Sequence, residues 1–345
     1  MKLLHIVAGN RWTGAAAPAF AEVAALRQAG VDAHFAYTGG YKLEAKIGHL
    51  AFTHPVIPKA QNPFSRSLRR LIEQENFDCV HAHLTYDHWL ARLAGVCTMR
   101  TFHTHRTLRS DPFTRSLIRH SRLICVTNDA LRDARPIRAR NPLFTPPPID
   151  LAQFRPEGAD VRDRYGIARD ALLLAAIGKL SKHRGFELVL QTFALLRKRV
   201  GNAHLMIVGH GEHRPELESL ARDLGIGRAV TWAGYHEDDL ADHYRAAGFL
   251  LFTAKGSDEG HRAVLEAMAC GTVPVTAPLD GMRALLGDMS EALIAREGSA
   301  ESLASRIVEH LDDHAELRTN ALERSKEFGF DRAARRLIDA YSSAL

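Results

Sequence analysis

The sequence predicts an α/β protein with two doubly wound, parallel-sheet domains, and three observations carry that prediction. Short apolar runs of strand length alternate with amphipathic helical patterns along the chain, as expected of a parallel sheet covered by helices on both faces. The alternation stops once, at Pro146-Pro147-Pro148-Ile149-Asp150, where consecutive prolines can continue neither element, and then resumes. Finally, 345 residues are enough to bury two cores of ordinary size.

Taken in order, residues 3–8 are the first strand, too short and without the cleavage-type boundary of a signal peptide. They lead into a helix over 14–29, and strands at 33–37, 79–82, 97–102 and 123–127 continue the series. Residues 146–168 form the hinge. A second series follows with strands at 172–177, 205–208, 230–233, 249–252 and 273–276, which sets the domains at 1–150 and 151–330. Ligands of such open sheets bind beyond the carboxyl ends of the strands.

Hydrophobic residues make up 46% of the chain and charged residues 25%, the balance of a soluble globular protein. No apolar run is long enough to span a bilayer, so the expected location is the cytoplasm. Cys79, Cys97, Cys125 and Cys270 are scattered in apolar contexts without metal spacing and are expected to be reduced core residues. The net charge of +5 is unevenly placed, with Arg106, Arg109, Arg115, Arg119, Arg122, Arg132, Arg135, Arg138 and Arg140 in one stretch. Such a face either meets anionic lipid or a phosphorylated acceptor, or is a solvated helical surface. No recognition helix, zinc finger or aromatic platform accompanies the charge, which disfavours nucleic acid as a partner.

The stretch richest in chemistry is Ser257-Asp258-Glu259-Gly260-His261-Arg262-Ala263-Val264-Leu265-Glu266-Ala267-Met268-Ala269-Cys270-Gly271. An apolar strand over 248–253 precedes it, and 263–269 is a good helix former, so the order is strand, polar loop, helix N-terminus. Free amides around Gly260, His261, Arg262 and Ala263 would then favour an anion such as a diphosphate. Asp258 would lie beside that anion and Glu266 one to two turns deeper. Carboxylates accept hydrogen bonds from sugar hydroxyls, so one can hold a hexose and the other a ribose. The competing reading makes Asp258 and Glu259 solvated loop acids and Glu266 a cap on a buried helix.

Asp258 and Glu266, with the Glu-Ala-Met-Ala-Cys-Gly tail, resemble the Glu-x7-Glu motif of the retaining family 4 glycosyltransferases. That resemblance implies the GT-B fold, two Rossmann-like domains facing across a cleft, with the terminal helix at 331–345 returning to the first domain. The segment Gly178-Lys179-Leu180-Ser181-Lys182-His183-Arg184-Gly185 is similar to the family's Gly-Arg-Leu to Lys-Gly segment, and implies that Lys179 and Arg184 stabilise the leaving diphosphate. Lys182 is close enough to take either role. Val208-Gly209-His210-Gly211 resembles the Val-Gly-x-Gly turn that approaches the nucleotide, and Thr231-Trp232-Ala233-Gly234-Tyr235 the strand before the base-binding loop. In the first half, Asp78-Cys79-Val80-His81-Ala82-His83 and Thr101-Phe102-His103 resemble the Asp-x-Val-His-x-His and Thr-x-His strands, which implies that His103 assists at the sugar. The loop at Asn10-Arg11-Trp12-Thr13-Gly14 stands where the family has a Gly-Gly turn near the donor phosphate, with Gly14 retained. Arg11 and Trp12 either touch the acceptor or pack over the domain edge.

The family's Gly-Gly-x-x-Glu segment is not matched at Leu279-Asp280-Gly281-Met282-Arg283-Ala284, which leaves the donor open. His81 and His83, alternating along a strand and followed by His105, are expected to face opposite sides of the sheet, which argues against shared zinc ligation. Neither metal nor cofactor is expected, since protein cations stand in for one. The implied activity is transfer of a sugar from a nucleoside diphosphate sugar, with UDP expected, to a glycan, lipid-linked or phosphorylated acceptor of cell-surface polysaccharide synthesis. The alternatives are a GT-B epimerase or phosphorylase, and a non-catalytic sugar-nucleotide binder.

Overall fold

A computed structural model describes residues 1–9, 12, 14–40, 42–57, 66–103, 108, 110–254 and 258–345. The side chains of Ile57, Arg66, Ser67, Asp258, Glu259 and Gly260 fall outside that description. Packing divides the chain into two compact units, one chiefly Met1–Pro148 with Phe328–Leu345, the other chiefly Ile149–Gly256 with Gly260–Glu327.

The first unit is built on strands β1 (Lys2–Val7), β2 (Asp32–Thr38), β3 (Thr53–Ile57), β4 (Cys79–Ala82), β5 (Cys97–Phe102), β6 (Leu123–Val126) and β7 (Leu143–Phe144). All pair in parallel, in the order β3-β2-β1-β4-β5-β6-β7. The order reverses between β1 and β4, the switch point at which such sheets open a crevice. Leu3 and Val7 pack with Ala19, Val23, Tyr37, Cys79, Met99, Leu337 and Tyr341, whereas Leu4 and Ile6 pack with Ala36, Leu68, Val80 and Leu90. Odd and even residues of β1 therefore serve opposite faces, as the two-residue period of a strand requires. The helices Ala16–Gln28 and Phe330–Ala344 pack together and cover the odd face.

β3 and β7 are not foreseen in the sequence. β3 carries Pro55 and lies at the sheet edge, where a missing donor does least harm. β7 has only two residues.

The second unit has β8 (Leu173–Ile177), β9 (His204–Val208), β10 (Val230–Gly234), β11 (Phe249–Phe252) and β12 (Val273–Thr276), all parallel, in the order β10-β9-β8-β11-β12. Its switch point lies between β8 and β11. Beyond the strand ends, backbone packs on backbone. Gly178 N–H donates to Val208 O at 3.0 Å and Gly209 N–H to Gly234 O at 2.7 Å, tying the ends of β8, β9 and β10 together. A Cβ on Gly209 would stand 1.9 Å from Gly178 O, and one on Gly211 2.0 Å from Leu180 O. Gly209 also has φ +147, a region that L side chains rarely adopt.

Among the described residues no helix is long and apolar enough to cross a membrane. The four cysteines are free, with Cys79, Cys125 and Cys270 buried and Cys97 half-buried. Because the Gly209 clash is with backbone and no rotamer relieves it, Gly209→Ala should destabilise the second unit by more than about 2 kcal/mol. Urea unfolding followed by tryptophan fluorescence would show this as a lower midpoint, and an unchanged midpoint would mean that the strand ends are not held as described.

Candidate functional site

Lys179 and Arg184 are placed by this glycine-locked scaffold. Gly178 turns the chain out of β8, and Lys179 follows it into solvent, 56% exposed, with its Nζ 3.7 Å from Glu212 of the neighbouring β9 loop. Arg184 is half-buried and immediately precedes Gly185, the left-handed residue that starts the helix Phe186–Arg199. A Cβ on Gly185 would lie 2.6 Å from Thr253 Oγ1, whose hydroxyl donates to Gly185 O at 2.8 Å. The helix thus begins against the end of β11, and Lys179 and Arg184 bracket the loop that crosses the switch point. Lys182 is exposed on the same loop. On the next loop Tyr235 is 59% exposed, packs edge-on to His210 at 5.0 Å and donates to Glu237 at 3.0 Å.

The Asp258 helix corrects one expectation. It runs Asp258–Ala269, so it begins five residues before the predicted start. Amides without an intrahelical acceptor end at Gly260, and those of Arg262 and Ala263 join the helical ladder. Any anion held by free amides would meet the first turn rather than Arg262 and Ala263. The side chain of Asp258, with Ser257, Arg11, His105, Arg106 and Arg109, lies outside the described residues. Glu266 is 3% exposed. Its Oε1 accepts from Arg262 Nε at 2.6 Å, one turn back, and its Oε2 from Tyr244 at 3.2 Å. A carboxylate has about four acceptor sites, so two remain for a ligand hydroxyl. Burial first, then the Glu266 charge, holds the Tyr244 phenol far above its ordinary value, so it stays a donor. His261 is buried, its Nε2 3.3 Å from Asp280 O, and Ala263 packs inside.

In the first unit, His103 follows β5 at its carboxyl end and is 4% exposed. It is one of a set. His5 and His81 are direct partners across β1 and β4, and the rings of His81 and His83 stack with centroids 4.7 Å apart. The expectation that His81 and His83 face opposite sides is therefore wrong, because residues two apart on a strand share a face. His5, Glu22, His81 and His83 are all buried with candidate ligand atoms within 4.8 Å of one another. Their ring nitrogens meet each other, Tyr341 and Thr101 at 2.6 to 3.2 Å, in a line of hydrogen bonds. On the opposite face, buried Asp87 accepts from Ala8 N–H and Leu84 N–H, both at 2.7 Å, pinning the ends of β1 and β4. Gly14 has φ +66 and leads into the helix at Ala16, whose first turns are alanine and proline. Trp12 packs on Phe20 at 5.3 Å beneath the Lys46 ammonium. A separate cavity of about 480 Å³, lined by Arg122, Arg132, Asn141, Phe144 and Ser343 among others, holds no predicted site residue.

Two family models match in tandem: the one described as Glycosyltransferase Family 4 over residues 12–153, and the one described as Glycosyl transferases group 1 over residues 159–328. The chain is a family 4 glycosyltransferase. It is 31% identical over 314 residues to a D-inositol 3-phosphate glycosyltransferase of Frankia alni, covering 78% of this chain and 75% of that one. Among solved structures, Anabaena Alr3699/HepE in complex with UDP superposes with TM-score 0.81 at 17% identity, over 99% of this chain and 100% of that one. A glycosyltransferase from Rickettsia africae gives 0.83 at 13% identity, over 99% and 98%. The glycosyltransferase therefore has the GT-B fold.

Sequence reasoning missed Tyr244, Asp87, Glu22, His5 and Tyr341. His5 had a readable signal, a polar residue in an otherwise apolar strand, as did Glu22 within an alanine-rich helix. The others need tertiary contacts.

The buried imidazoles should make this glycosyltransferase acid-sensitive. Burial lowers His5 and His88 to about 3 and holds His81 and His83 well below their ordinary value. A depressed imidazole contributes stability above pH 6.5 that is lost as pH falls toward the folded value, about 1.4 kcal/mol per pH unit for each ring. Asp87, pushed up to about 6 by burial, works the other way between pH 6 and 4. Four lowered rings oppose one raised carboxyl, so unfolding free energy should drop between pH 6.5 and 5. Urea titrations at both pH values would measure it, and equal stabilities would contradict the buried neutral rings.

Proposed function

We propose that this glycosyltransferase moves a sugar from a UDP-sugar to a hydroxyl of a phosphorylated or lipid-linked acceptor, with retention of anomeric configuration and without metal. The observation that carries this reading is the pair of cations, Lys179 and Arg184, on the loop over the β8–β11 switch point. As the sugar-to-phosphate bond breaks, negative charge grows on the diphosphate and positive charge on the sugar. The two cations and the first-turn amides of the Asp258 helix would stabilise the departing diphosphate electrostatically. Glu266, locked between Arg262 and Tyr244, would offer its remaining lone pairs to ribose, and Asp258 would orient the hexose. His103 would hold the sugar by a hydrogen bond. The departing phosphate itself would take the acceptor proton on the same face, which gives retention.

UDP as the nucleotude's identity is supported by the UDP complex of the Anabaena neighbour. A phosphorylated acceptor is supported by the inositol 3-phosphate named for the Frankia relative. The first unit also presents exposed Arg115, Arg119, Arg122, Arg132, Arg135, Arg138 and Arg140, and an exposed Phe113 (70%). That combination suits an anionic acceptor or peripheral contact with an anionic cytoplasmic leaflet, as in cell-surface glycan assembly.

Calorimetry with UDP, GDP and ADP in the presence of chelator should give tight binding of UDP alone, weakened about tenfold or more in Glu266→Gln. Binding only with metal, or equal affinity in the variant, would remove the corresponding part of the reading. His103→Ala should lower kcat about a hundredfold with little change in UDP affinity, and an unchanged rate would remove His103 from the chemistry.

A further inference from the structure

The hydrogen bonds among the buried histidines of the first unit run in one line. His103 Nε2 lies 2.7 Å from His83 Nδ1, and His83 Nε2 lies 3.0 Å from His5 Nδ1. His5 Nε2 lies 3.2 Å from Tyr341 Oη, which in turn lies 2.6 Å from His81 Nδ1. The line ends where His81 Nε2 meets Thr101 Oγ1 at 2.7 Å. Every member is at most 4% exposed, and the Glu22 carboxylate flanks the middle, 3.6 Å from His5 Nδ1 and 3.9 Å from His83 Nε2.

Proton counting restricts this line severely. A neutral imidazole has one proton for two nitrogens, and a phenol has one proton to donate. A ring with partners on both nitrogens must donate at one and accept at the other. Once the buried phenol proton must also find a partner, the direction chosen at any link fixes every other link. Only two arrangements keep all five bonds with neutral rings and also use the phenol proton, since a Tyr341 that accepted from both His5 and His81 would leave its own buried O–H unpaired. If His103 donates, His103, His83, His5 and His81 all carry their proton on Nε2, and Thr101 accepts. If Thr101 donates, all four carry it on Nδ1. Mixed tautomers either break one of these buried hydrogen bonds or orphan the phenol proton, at the desolvation cost of an unpaired polar atom.

We propose that His83, His5, Tyr341, His81 and Thr101 are positioning residues that lock the tautomer of His103 as a single unit, so that Thr101 and a residue of the Phe330–Ala344 helix together set which nitrogen of His103 can donate. The consequence for catalysis rests on the reading of His103 as a sugar-facing group. The lock itself does not.

The test is nitrogen NMR of the full chain labelled with 15N-histidine at pH 7.5, where protonated and bare ring nitrogens are separately resolved. The wild type should show the four rings in one common neutral tautomer. Thr101→Val removes the partner of His81 Nε2, and a bare nitrogen there is less costly than an orphaned N–H, so all four rings should carry the proton on Nδ1. Tyr341→Phe cuts the line between His5 and His81, and should broaden or split the His103 signals into two forms while the variant remains folded. Unlike tautomers among the four rings in the wild type, or His103 signals that stay put in both variants, would overturn the lock. A His103→Ala enzyme that retained full glycosyl transfer would overturn the sugar-facing role and leave the tautomer result to stand on its own.

Discussion

A strand sealed by helices on both faces cannot send a polar side chain to water. That constraint governs the first unit. β1, β4 and β5 are the central strands, yet they carry His5, His81, Thr101 and Arg100, with His83 just past the end of β4, all at most 5% exposed. Each buried polar atom left without a partner would cost on the order of 1–3 kcal/mol. The fold meets the demand on each face separately. On one, the imidazoles serve one another and reach Tyr341. On the other, Asp87 binds the two strand-end amides, and the Arg100 guanidinium reaches Ala82 O at 3.4 Å. Both arrangements converge on the carboxyl ends of β1 and β4, where sheets of this order open their crevice.

The second unit handles its strand ends differently. There the close contacts are made by main chain, with Gly178, Gly209 and Gly234 bringing three loops together. Side chains are excluded from the contact, and Lys179, His210 and Tyr235 each directly follow one of its glycines. Rigidity comes from atoms that every residue shares, and chemistry from the flanking positions. Such a division suits a site that stabilises charge by preorganisation, since fixed loops need little reorganisation as charge develops.

Much of this was legible in sequence because the strands of a parallel sheet are short apolar runs with clear breaks between them. The failures have physical causes. β3 begins Thr53-His54-Pro55, which reads as a turn and is tolerated only because the strand is at an edge. The helix at Asp258 starts early although the signal was present, since Asp and Glu favour a first helical turn. For His81 and His83, the period of two was available and was misapplied. Glu266 stands in a readable motif, but its partner Tyr244 lies 22 residues away and His81 meets Tyr341 across 260. No local pattern encodes contacts of that separation, so the residues that fix the site's orientation were the ones left unread.

The span of 260 residues between His81 and Tyr341 bears on how the protein is made. A ribosome finishes β1, β4 and β5 early, then synthesises the whole second unit before the phenol that bridges His5 and His81 emerges. Throughout that interval the nascent first unit lacks both the covering helix Phe330–Ala344 and the bridging hydroxyl. Its imidazoles stay open to water and protonation, and the second unit can close its own sheet without waiting. The order of completion thus differs from the order of synthesis, with the unit begun first completed last.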